Sequence, residues 1–65
     1  MAYYRIYELN ALHAIVAATD VTCRDDDSAI MTALAAFNRG TIELWSGTRK
    51  VATLDTNGQR HVALP

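Results

Sequence analysis

Cysteine is almost absent from this chain: 65 residues hold one, Cys23. A single thiol closes no disulfide within the chain. The two histidines, His13 and His61, stand far apart, so no zinc-finger spacing of Cys and His arises. Glycine is scarce as well. Its three copies, Gly40, Gly47 and Gly58, are scattered, which excludes a glycine-rich phosphate loop. No apolar run approaches the ~20 residues of a membrane span, and the start M-A-Y-Y-R-I-Y-E lacks the apolar core of a signal peptide. A lone free thiol fits a reducing compartment, so a soluble, cytoplasmic protein is expected. Neither charge is in excess. Seven acids against six bases give −1, which argues against a non-specific polyanion binder. The halves differ, however: residues 1–33 carry −3 and residues 34–65 carry +2.

Hydrophobic residues are plentiful, at 51%, too many for a disordered segment. A chain this short forms one domain and buries only about 60% of its unfolded surface, so such domains often take a staple. With disulfides and zinc excluded, self-association is the staple that remains.

Tyr3 to Leu9 is rich in aromatic and β-branched residues and reads as a strand. Tyr4 and Ile6 fall on one face, Tyr3, Tyr7 and Leu9 on the other. A strand apolar on both sides belongs in the middle of a sheet. Asn10-Ala11-Leu12 is a turn, and His13 to Thr22 a second strand whose Ile15, Ala17, Thr19 and Val21 share a face by the period of two. R-D-D-D-S-A-I-M-T-A-L-A-A-F-N-R-G predicts a helix over 26–38. Asp25 is its N-cap, Asp26 and Asp27 complement its dipole, and Ile30, Ala33, Leu34 and Phe37 form its apolar stripe. Gly40 suits the left-handed position after its end. The outward face, with Ser28, Thr32, Ala35 and Ala36, is small and uncharged. It reflects either helix propensity or close approach of another surface.

Thr41–Trp45 and Arg49–Leu54 read as a hairpin around Ser46-Gly47, with Ile42 opposite Val51 and Glu43 opposite Lys50. That register sends Ile42, Leu44 and Val51 to the helix, and Trp45, Glu43 and Lys50 to the other side of the sheet. Asn57-Gly58 is a second turn signal, and R-H-V-A-L-P after it is a tail or a short fifth strand, the tail being preferred. The expected fold is α+β: β-β-α-β-β in residues 1–55, one mainly antiparallel four-stranded sheet with strand 1 between strands 2 and 3, covered on one face by a single helix. Residues 56–65 are the terminal turn and tail. A strand–helix–strand step of this kind is right-handed when its strands are parallel.

No catalytic constellation, cofactor motif or metal site emerges. Asp25-Asp26-Asp27 is explained by capping, and neighbouring helix residues point apart, unlike the alternating ligands of a calcium loop. Ser28 lacks a nucleophile elbow. Cys23 is expected to be a buried small hydrophobe. What remains is surface. Tyr3, Arg5 and Tyr7 point the same way on strand 1, and Trp45 and Lys50 share a face of the hairpin. Aromatics and cations on an open sheet face stack bases in single-strand binders, and Tyr and Trp also anchor protein interfaces. Glu43 on the same face and the negative total favour protein. A weak homodimer or another protein is the expected partner, with nucleic acid second.

At Y-R-I-Y-E-L, D-V-T-C-R-D-D-D-S-A-I and I-E-L-W-S-G-T-R, over about residues 3–54, the chain resembles a group of short uncharacterised bacterial single-domain proteins with the same hairpin–helix–hairpin order. The resemblance implies the fold and carries over no functional residues. More remotely, C-R-D-D-D-S-A-I-M-T-A-L-A-A-F is similar to the Cys and acidic residues ahead of an Ala-rich helix in antitoxins of the partial ribonuclease-H type. The chain departs from them in showing one hairpin before the helix and no DNA-binding segment after it.

Overall fold

The alternation of Tyr4 and Ile6 with Tyr3, Arg5 and Tyr7 gives the first strand large side chains on both faces, which suits a central place in a sheet. The computed structural model describes residues 1–37, 40–55 and 61–64. These form β1 (Ala2–Leu9), β2 (Ile15–Cys23), α1 (Asp26–Ala36), β3 (Thr41–Ser46), β4 (Arg49–Asp55) and β5 (His61–Ala63). All pair antiparallel in one sheet of order β2-β1-β3-β4-β5. β1 lies between β2 and β3, as expected. β2 and β3 are each antiparallel to β1 and so run parallel to one another, with α1 joining them.

The helix covers one face. Ala29, Ala33 and Leu34 of α1 are buried with Tyr4, Ile6, Cys23, Ile42, Leu44, Val51, Ala52 and Leu54, and Ile30 and Phe37 pack at the margin. The largest fully buried side chains are Tyr4, Ile6, Ile42, Leu44 and Leu54. Complete burial of an aliphatic side chain of this size contributes about 1.5–3 kcal/mol. Asp25 caps the helix as its sequence position implies, accepting from the Ser28 N–H at 2.8 Å. Cys23 is buried, its thiol 3.8 Å from Thr32 Oγ1, so Thr32 reaches toward β2.

Several expectations are corrected. The sheet has five strands, not four: His61–Ala63 pairs with β4 through Thr53–Ala63, Leu54–Val62 and Asp55–His61, so this segment is a strand and not a tail. The Asn57-Gly58 turn lies outside the described residues, as does Arg39. The helix ends at Ala36, where Phe37 turns extended while its N–H still bonds to the Ala33 carbonyl. Gly40 has φ +77, but it stands too far on to be the residue that terminates the helix. β2 begins at Ile15 and not at residue 13, because residues 10–14 form a turn. Asn10 Oδ1 accepts from the N–H groups of Leu12 and Ala14, and His13 sits at φ +62.

Two bulges shift the strand registers. In the last hairpin Ser46 pairs with Arg49 and Trp45 with Lys50, so the loop is Gly47-Thr48, one residue later than expected. The register then slips, and Leu44 faces Ala52 and Ile42 faces Leu54. The physical reason is the spacing of Val51 and Leu54. Three residues apart, they would point to opposite faces of a regular strand. An extra residue in β4 lets Val51, Ala52 and Leu54 all be buried. In β2 the slip falls at Val16: Glu8 faces Ala17, but Leu9 faces Ile15. Ile15 therefore leaves the face of Ala17, Thr19 and Val21 and joins that of Tyr7.

Candidate interaction surface

The face of the sheet opposite the helix is built by register. Tyr3 pairs with Thr22, Arg5 with Asp20 and Tyr7 with Ala18 on one side; Arg5 pairs with Trp45 and Tyr7 with Glu43 on the other; Trp45 pairs with Lys50. Directly opposed residues share a face, so Tyr3, Arg5, Tyr7, Trp45 and Lys50 stand together, as the sequence suggests. Among the described residues no element packs over them.

The cations of this face are engaged within it. Arg5 Nε donates to Asp20 Oδ1 at 2.7 Å and its Nη2 to Oδ2 at 3.4 Å, with a further 3.4 Å contact to the Tyr3 hydroxyl. Arg5 and Asp20 sit directly opposite on adjacent strands, and the guanidinium fork matches the carboxylate. The hydrogen bonds from Arg5 hold Asp20 below the usual carboxylate range, and Asp20 raises the guanidinium in turn. Lys50 Nζ lies 3.5 Å from Glu43 Oε2. These two were expected to oppose each other directly; the slipped register makes them diagonal neighbours, and the pair forms nonetheless. Glu43 Oε1 accepts from Trp45 Nε1 at 3.1 Å. Glu43 therefore ties the indole to the ammonium.

Trp45 is half-buried, whereas Tyr3 is 53% exposed. The indole is thus held on its own hairpin and still lines an open groove of about 380 Å³ with Tyr7, Ile15, Glu43, Gly47 and Thr48. Ile15, 58% exposed, is the residue missed by strict alternation. The signal available in the sequence was the run Ile15-Val16, two large apolar residues in succession at the start of an otherwise alternating strand.

A second cluster joins the helix start to the sheet. Asp26 Oδ1 accepts from the Tyr4 hydroxyl at 2.7 Å, and both oxygens receive Arg49, at 3.0 and 3.1 Å. Arg49 holds the Asp26 carboxyl below its ordinary range, with the Tyr4 hydrogen bond acting in the same direction. The hydrogen bond to Asp26 raises the Tyr4 phenol. Asp26 thus does more than favour the helix dipole. The contact was not readable locally, because the partners lie 22 and 23 residues away.

Among the described residues no group of three His, Cys, Asp or Glu side chains converges as a metal site would require. No helix among them is long and apolar enough to cross a membrane. Compared with family models, curated proteins and solved structures, the chain matches none.

Proposed function

We propose that this is a small cytoplasmic binding module, not an enzyme, which associates with itself and presents its open sheet face to a protein partner. The observation that carries this reading is the pairing of the two described cations of the face with acids of the same face, Arg5 with Asp20 and Lys50 with Glu43. A polyanion is bound when unpaired cations of the protein neutralise its phosphates and its condensed counterions are released to solvent. Here Arg5 and Lys50 are already neutralised, and what stays available among the described residues is aromatic and apolar surface: Tyr3, Tyr7, Ile15 and the exposed part of Trp45. Such a surface fits a protein of little net charge. Self-association supplies the burial that a chain of this length lacks.

The competing reading is a nucleic-acid-binding or antitoxin-like regulator, favoured by the aromatic and basic residues on one open face. Trp45 is the single tryptophan, so its fluorescence reports on that face without a label. Titration with random-sequence RNA and oligo-dT at physiological salt is expected to leave its emission unchanged, and sedimentation at several concentrations is expected to show a dimer. Quenching that weakens steeply with salt and disappears in Arg5→Ala and Lys50→Ala would establish the competing reading. A monomer mass persisting to millimolar chain would remove self-association.

A further inference from the structure

The sheet has two edges, and they differ. β5 is three residues long, a length that offers little template to another strand. β2 is nine residues long, Ile15–Cys23, and among the described residues pairs with β1 alone. Edge strands in monomers are guarded by lysines, prolines, inward charges or bulges along their length. β2, reading I-V-A-A-T-D-V-T-C, has no Lys and no Pro. Its only charge, Asp20, is neutralised by Arg5 of the neighbouring strand. Its bulge at Val16 lies at one end and leaves residues 17–23 in regular register.

We infer that two copies of the chain pair through β2, antiparallel and edge to edge, about a two-fold axis near Thr19, joining their sheets into one. This inference rests on the reading of the chain as self-associating and says where the contact lies. The occupant is a second copy because the strand is complementary to itself. An axis perpendicular to the sheet keeps both helices on one side, so only residues of like face oppose. Centred on Thr19, Thr19 meets Thr19 of the other copy and Ala17 meets Val21, both on the helix side. On the open side Ala18 meets Asp20. Thr–Thr and apolar cross-strand pairs are favourable, and no like charges face each other. Ala17 and Val21, half-buried in the single chain, gain cover, and the backbone groups of the β2 edge gain partners in place of water. A register centred on Asp20 would oppose two carboxylates and is disfavoured. The two open faces then lie side by side, a contact surface of twice the width for a further partner.

The test combines sedimentation with amide exchange. Thr19 is exposed and lies on the helix side beyond the buried core, so Thr19→Lys is expected to fold, as checked by circular dichroism of the dilute protein. It sets two ammonium groups against each other at the axis. The wild type is expected to dimerise between roughly 10 µM and 1 mM, Thr19→Lys to stay monomeric, and Thr19→Val and the open-face variant Tyr3→Ala to dimerise normally. Independently of any variant, alternate amides of residues 17–22 should exchange about tenfold more slowly in the dimer than in the monomer. A wild-type chain that stays monomeric removes self-association altogether, and this interface with it. A dimer that persists in Thr19→Lys, or is lost in Tyr3→Ala, or forms without slowing exchange in β2, overturns the edge interface and leaves self-association standing elsewhere.

Discussion

Tyr4 and Asp26 meet where the core reaches the surface: the phenol, 1% exposed, donates to Oδ1 at 2.7 Å, and the same carboxylate receives the Arg49 fork. One aspartate at the first turn of the helix thereby connects β1, α1 and β4. It also satisfies the hydroxyl of a buried tyrosine that would otherwise lack a partner.

The first prediction follows from the shifted titrations of this cluster. Asp26 is held below its ordinary value of 3.8. Its contribution to stability is therefore fully present above that value and is lost as pH falls through the lowered one. Tyr4 is raised above 10.0, so its contribution is present below that value and lost as pH rises through the raised one. Thermal melts across pH are expected to show both branches. Asp26→Asn should flatten the acid branch and lower the melting temperature at pH 7 by about 4–8 °C. Tyr4→Phe should flatten the alkaline branch while keeping the ring in the core. An unchanged acid branch in Asp26→Asn would show that other carboxylates carry it.

The second prediction concerns the two turns. Gly47 has φ +63, and nothing within 4 Å would meet an added Cβ. The cost of Gly47→Ala is then conformational alone, about 1–2 kcal/mol, and Gly47→Asn should cost less. His13 holds φ +62 with a side chain that pays this cost already. His13→Gly should therefore gain from the native conformation, offset in part by the freer unfolded chain. Urea unfolding of the three variants would order them: Gly47→Ala least stable, Gly47→Asn next, His13→Gly near or above the wild type.

These turns mark where local reading succeeds and where it stops. The helix was legible because its signals are local: Asp25 as cap, two acids after it, and an apolar stripe at helical spacing. β1 could be placed centrally because it is apolar on both faces. Alternation places Tyr3, Arg5 and Tyr7 on one face of β1, and a two-residue hairpin loop places Trp45 and Lys50 on one face of the hairpin. The bulges were not legible by alternation, because a bulge is set by what must be buried across the sheet. Val51 and Leu54 conflict in a regular strand, and only the core opposite them decides that the strand, not a side chain, gives way. Arg49 reads in the sequence only as the start of a strand, but its side chain goes to Asp26, on a different element. β5 is three residues long, too short for periodicity to distinguish it from a tail.

The third prediction tests the neutralisation of the open face. If Asp20 and Glu43 are what keep Arg5 and Lys50 from phosphates, then Asp20→Asn with Glu43→Gln should release both cations beside an aromatic surface. The double variant is expected to acquire weak affinity for oligo-dT, with log affinity falling against log salt at a slope of about −1.4, the value for two contacts on a single strand. Trp45 fluorescence provides the readout. No binding by the double variant would mean that the shape of the face, and not its charge balance, excludes nucleic acid.

The last prediction concerns Trp45. The indole is half-buried, with its N–H on Glu43 and Glu43 on Lys50. A core aromatic truncated to alanine costs about 3–5 kcal/mol. Trp45 keeps part of its surface in water, so Trp45→Ala should cost less, about 1–2 kcal/mol by burial of part of the ring. Trp45→Phe retains most of that burial and loses only the hydrogen bond to Glu43, a further difference of about 1 kcal/mol or less. Leu44→Ala, at a position 0% exposed, sets the scale of a true core loss at about 2–5 kcal/mol. Urea unfolding at micromolar concentration, where any dimer has dissociated, should therefore rank the wild type first, then Trp45→Phe, Trp45→Ala and Leu44→Ala. If Trp45→Ala unfolds as readily as Leu44→Ala, the indole belongs to the fold itself. The surface offered to a partner would then shrink to Tyr3, Tyr7 and Ile15.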